Sequence, residues 1–205
     1  MSAQKQAPAA RELSHKGFVD NNDLMAKSLA SDQFIIKLIP SILNLMPRKL
    51  SIHLIEKEKR LALKIFGSVP PSDQTKNVRV PELPGIDPEM REWSLCEILE
   101  HNAIVNCIFT RNIESLENNR KIQKIDPKLD VLPKKGVGVQ ARNNFITSIE
   151  DHLHFVKSIR DMRKSKTAEH AIFGKFNAHQ WHSFLPIHLS IHRKQMKVVL
   201  EILKN

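Results

Sequence analysis

The chain has no tyrosine, two cysteines among 205 residues, and no apolar run near the ~18 residues that a bilayer-spanning helix requires. Cys96 and Cys107 fall on one predicted helix, about 16 Å apart at ~1.5 Å rise per residue, so they cannot pair with each other. They also lack the C-x-x-C spacing of a structural zinc site. No H-E-x-x-H occurs, which excludes a zincin-type protease helix. Repeats and low-complexity tracts are missing too. The first residues, MSAQKQAPAARELSHKG, have no apolar run behind their basic residues, as a secretory signal would, so the expected location is cytoplasmic.

Positive charge is abundant. The formal net charge is +10, with Asn119 to Lys166 holding twelve Lys/Arg against five acids and Arg91 to Asn118 holding two against five. A basic segment of this kind can bind nucleic acid or an anionic surface. It is not interleaved with aromatics, however, and a solvated basic surface is the simpler account, so nucleic acid is disfavoured as a partner.

The hydrophobic pattern is helical throughout, and no stretch reads as a good strand. Residues 1 to about 32 are polar and without periodicity, and are expected to form a frayed or loosely docked arm. The apolar stretch Phe34 to Met46 is interrupted by Lys37 and Pro40; it suits a short helix on a flank of the core better than a membrane-interface helix. Pro47 is placed to open a new helix. From Arg48 to Phe66, Leu50, Leu54, Leu61 and Ile65 recur at helical spacing, with Glu56 to Arg60 expected in solvent, and Gly67 ends the pattern. Five prolines between Ser68 and Arg91 then predict a long extended crossover.

The next helix announces its start. Ser94 and Glu97 form a capping box, with Trp93 and Ile98 as a hydrophobic staple, so Glu97 reads as a cap rather than a catalytic acid, and Glu100 reads as outward-facing. Ile98, His101, Val105 and Ile108 share one stripe. After a basic loop at 119–140, whose GVG follows no strand and is no phosphate cradle, a third helix is predicted from Val139 to Arg163 on Phe145, Ile149, Leu153 and Val156. His152 and His154 flank that stripe and are expected at the surface or at its boundary, with His152 as a reserve ligand. A second capping box, Asn177 and Gln180 with Phe176 and Trp181 as staple, opens the last helix. Pro186 is expected to bend that helix just before His188, or else to mark a later start. The fold class is therefore an all-α bundle, with an arm at 1–46 and a four-helix domain at 47–205.

His188 and His192 are four residues apart, about one helical turn, so their imidazoles leave the same face and can clamp one metal ion. His101, on the inward stripe of another helix, is the candidate third ligand. Gln195 shares the face of His188 and His192, and His170 lies in the preceding link. With ten histidines in the chain, such a pair also arises by chance.

Three segments, in order, resemble the DinB/YfiT-like superfamily: the crossover V80-P-E-L-P-G-I-D-P-E-M-R-E-W93, W93-S-L-C-E-I-L-E-H101, and the segment from His170 to Gln195 containing W181-H-S-F-L-P-I-H188-L-S-I-H192. The resemblance spans roughly Arg48 to Leu203. It implies a four-helix bundle with a long crossover between helices 1 and 2, and a divalent metal on His101, His188 and His192. It also leaves His170, His152 and Gln195 as supporting or reserve groups. Members resemble metal-dependent thiol transferases such as bacillithiol S-transferase and mycothiol-dependent maleylpyruvate isomerase. Ala171 stands where the pattern has proline, Pro186 is extra, and residues 1–46 have no counterpart.

Three neutral imidazoles would leave an open position on Zn²⁺ or Ni²⁺. The expected function is thus a divalent-metal-dependent thiol transferase or hydrolase acting on a small molecule, with a low-molecular-weight thiol as a candidate cosubstrate. The alternative is a non-enzymatic bundle stabilised by metal. Homodimerisation through the apolar flank 34–46 is a further option. No general base is identified.

Overall fold

Two reciprocal capping boxes fix where the two central helices begin. In the computed structural model, which describes residues 37–123, 126, 128–170 and 172–204, the Ser94 side chain accepts from the Glu97 N–H while the Glu97 carboxylate accepts from the Ser94 N–H. Asn177 and Gln180 exchange the same pair of bonds. Each box satisfies two main-chain donors that a helix start otherwise leaves bare.

The helices, in chain order, are α1 (37–45), α2 (Arg48–Gly67), a single-turn α3 (Pro71–Gln74), α4 (Leu95–Glu117), α5 (Gln140–Ser158) and α6 (Ala178–Leu203). The four long ones pack in a ring of neighbours, α2 against α6, α6 against α4, α4 against α5 and α5 against α2. The described residues are therefore mostly helical. The arm expected at 1–32 and the first residues of the apolar stretch, 34–36, lie outside them.

Several expectations need correction. The buried stripe of α2 is Ser51, Ile55, Glu58, Ala62 and Phe66, whereas Leu50 is exposed. Glu58, expected in solvent, forms an ion pair with Arg193 of α6. Ser51 and Glu58 interrupt this stripe with partners on α6, Ser183 and Arg193, so a purely apolar pattern misplaces it by one position. Similarly, Glu100 is buried and accepts from Asn144 Nδ2 of α5 at 3.0 Å rather than facing outward. α5 ends at Ser158, short of Arg163, and a 3-10 turn follows at Met162–Lys164. The link to α6 contains a small antiparallel hairpin, β1 (Ala168–His170) with β2 (Gly174–Phe176), although no strand was expected.

Pro186 does not delay or end the last helix. α6 runs unbroken from Ala178 through Leu203, with Pro186 buried inside it. The crossover between α2 and α4 is closed on itself: Val80 N–H donates to the Arg91 carbonyl at 2.8 Å, and Val80, Ile86 and Met90 join the core. This places the Met90 carbonyl over α6.

Candidate metal centre

His101 from the middle of α4 and His188 and His192 from α6 converge, so that one ring nitrogen of each lies within 4.8 Å of the others. The Nε2 atoms of His101 and His188 are 3.3 Å apart. Tetrahedral zinc with Zn–N bonds of roughly 2.0–2.1 Å sets its nitrogens about 3.3–3.4 Å apart, so this edge matches a metal polyhedron.

The surrounding hydrogen bonds fix which nitrogens are bare. His101 Nδ1 lies 2.8 Å from the Val131 carbonyl, which only accepts, so Nδ1 carries the proton and Nε2 a lone pair. His192 Nδ1 lies 2.9 Å from Gln195 Oε1. Gln195 Nε2 donates to the Met90 carbonyl at 2.7 Å, so the amide oxygen faces the imidazole and His192 is likewise bare at Nε2. These are the outer contacts that orient a metal-bound imidazole. His188 Nδ1 is buried without a hydrogen-bond partner.

Burial keeps the rings neutral. It pushes the pKa of His101 down to about 4; burial together with the nearby imidazoles lowers His192 to about 3 and His188 well below its usual value. Lone pairs crowded in a dry site repel one another, and a divalent cation relieves that repulsion. The residues present therefore fit a metal ion, and the group could hold one. Trp93, beyond its place before the cap, lies over the centre, with its ring 5.0 Å from His101 and 6.4 Å from His192.

Of the supporting and reserve groups, Gln195 bonds a ligand, whereas His170 and His152 make other contacts. His170 sits among aromatic rings, 4.8 Å from Phe176 and 5.1 Å from Trp181 and Phe184, and its Nδ1 accepts from the Ile172 and Phe173 N–H groups. It is not part of the three-histidine group. His152 is fully buried, not at a boundary, while His154 is exposed. Gln195 supports His192 as described.

His152 belongs to a second polar array missed in the sequence. Thr110 Oγ1 donates to the Asn106 carbonyl at 2.7 Å, so it can accept from His152 Nδ1–H at 2.8 Å. His152 Nε2 is then bare and accepts from His182 Nδ1–H at 3.0 Å. The signal was present: Ala141, Phe145, Ser148 and His152 recur along one face of α5, and all four are buried. Burial lowers the pKa of His152 to about 4, and burial with the nearby His152, His179 and Arg48 lowers His182 to about 3.

No known family, curated protein or solved structure compared with this chain matches it.

Proposed function

We propose that this protein binds one divalent metal, zinc or nickel, through His101, His188 and His192, and is a DinB-like metal-dependent thiol transferase or hydrolase acting on a small molecule. One observation carries this reading: the nitrogens of three histidines converge, and among the described residues no fourth His, Cys, Asp or Glu joins them. A structural zinc site is closed by four protein ligands, whereas a catalytic one keeps a position for water or substrate. A metal bound here would lower the pKa of a water or thiol so that its anion exists near neutral pH.

The chain's own groups do the positioning. Val131 and Gln195 hold two imidazoles in the ligating tautomer, and Trp93 excludes water on one side. His188 is the least buried of the three residues. Glu97 is committed to its cap, where its Oε2 also accepts from Asn77 Nδ2 at 2.6 Å, and Glu100 is committed to Asn144. Neither carboxylate is therefore free to act as the general base.

A second reading, a metal-stabilised bundle without turnover, is favoured by the burial of His101 and His192, each only 2% exposed. Elemental analysis of protein purified without a histidine tag tests the shared premise: about one zinc or nickel per chain is expected, lost in His188→Ala. Turnover of low-molecular-weight thiols with electrophilic acceptors then separates the readings. A metal-loaded protein inactive across such a panel, and unfolded on chelation, is the stabilised bundle.

A further inference from the structure

The inner side of α1 is pinned to the bundle. Leu43 is 1% exposed, Gln180 Nε2 donates to the Pro40 carbonyl at 2.8 Å, and Arg163 donates to the carbonyls of Asn44 and Met46. The opposite side is an apolar ridge: Leu38, Ile42 and Leu45, spaced at i, i+4 and i+7, are 41%, 58% and 79% exposed. Because the inner contacts hold the helix in place, the ridge cannot turn inward to bury these side chains.

We propose that this ridge docks on an anionic lipid bilayer, with α1 lying in the interface rather than crossing it. Charge complementarity identifies the occupant. The sequence has no acid from Lys37 through Ile55, and the exposed Lys37 and Lys49 bracket the ridge. The bonds from Arg163 to Asn44 and Met46 bring the basic Met162–Lys164 turn beside the end of α1. The acid within that turn's flank, Asp161, is already paired with Lys164 at 3.5 Å.

An apolar ridge rimmed by cations is the pattern of an interfacial helix, where burial of side chains and attraction to anionic headgroups act together. A second copy fits the surface less well. Three apolar side chains fall short of the roughly 1,000 Å² that a specific protein interface buries, and a two-fold contact would set one cationic rim against another. No described helix is long and apolar enough to cross a membrane, which agrees with a helix lying flat.

The test is co-flotation of the full chain with vesicles of phosphatidylcholine alone or with about 30 mol % phosphatidylserine, the anionic component. Binding is expected on the anionic vesicles only, weakening as salt rises. Ile42→Glu with Leu45→Glu should lower partitioning about tenfold or more through lost burial and added repulsion. Lys49→Glu should lower it by roughly fivefold or more. These positions are exposed, so an unchanged melting temperature confirms that each variant is folded. The proposal is overturned if the chain ignores anionic vesicles at low salt, or if Ile42→Glu with Leu45→Glu binds as well as wild type. It is also overturned if sedimentation shows the ridge substitutions splitting a dimer while vesicle binding is absent.

Discussion

His101 and His188 face each other through their Nε2 atoms at 3.3 Å, and the Val131 carbonyl has already claimed the proton of His101 at Nδ1. Without a cation, the only bond available between them is a donation from His188 Nε2–H, which leaves His188 Nδ1 as a buried bare acceptor. A metal on both Nε2 atoms would replace that single hydrogen bond with two coordinate bonds, the His188 proton then standing at Nδ1. Saturating zinc or nickel is therefore expected to stabilise the fold by about 3 kcal/mol at a hundredfold excess over Kd, seen as a rise in Tm of roughly 5–10 °C. His101→Ala, His188→Ala and His192→Ala should each abolish that rise.

Gln195 carries a separate prediction. It links the Met90 carbonyl to His192 Nδ1, so Gln195→Leu leaves both buried groups without their partner. Metal affinity is expected to drop about 10–100-fold, with a stability loss of about 1–3 kcal/mol. Competition with a chromophoric chelator measures the first, and urea denaturation of the metal-free protein the second. Unchanged affinity would remove Gln195 from the site.

Glu97 is the residue on which a catalytic assignment and a structural one differ most sharply. Its carboxylate receives bonds from the Ser94 main chain and hydroxyl at 2.8 and 3.0 Å and from Asn77. Ser94→Ala should cost about 0.5–2 kcal/mol through the lost cap, and Glu97→Gln should also destabilise while keeping the metal content and any turnover per metal-loaded chain. Turnover abolished by Glu97→Gln in a folded, metal-loaded protein would make Glu97 the base.

The legible parts of this molecule are those written in local side-chain chemistry. Both capping boxes, at Ser94/Glu97 and Asn177/Gln180, lie within four residues and read directly as helix starts. His188 and His192 share a helical face by spacing alone, and His101 is a candidate partner through its place on the inward stripe of another helix. Val131 and Met90 were not legible, because they act through carbonyls that every residue possesses. Glu58, Glu100 and His152 were assigned to solvent or to a boundary because a polar residue is buried only when a partner faces it, and Arg193, Asn144 and His182 are 135, 44 and 30 residues away along the chain. α1 was read as a core flank, which its inner side is; the exposure of Leu45 depends on where the neighbouring helices end.

The paired imidazoles of His152 and His182 make the fold acid-sensitive. Their folded pKa values, about 4 and about 3, lie below the 6.5 of an unperturbed ring. Between those values the unfolded chain binds protons that the folded chain does not, so stability is complete above pH 6.5 and declines as pH falls toward 4. For this pair the loss between pH 7 and 5 is about 2–4 kcal/mol, measurable as a falling urea midpoint in metal-free protein. Replacing both rings with leucine leaves Thr110 still bonded to the Asn106 carbonyl and strands no donor, so His152→Leu with His182→Leu should be near neutral at pH 7 and flatten the pH dependence. His152→Leu alone strands His182 Nδ1 and should cost about 1–3 kcal/mol at pH 7. If the double variant were no less acid-sensitive than wild type, the proton uptake on unfolding would have to come from the other histidines whose pKa values burial lowers, His101, His170, His179, His188 and His192.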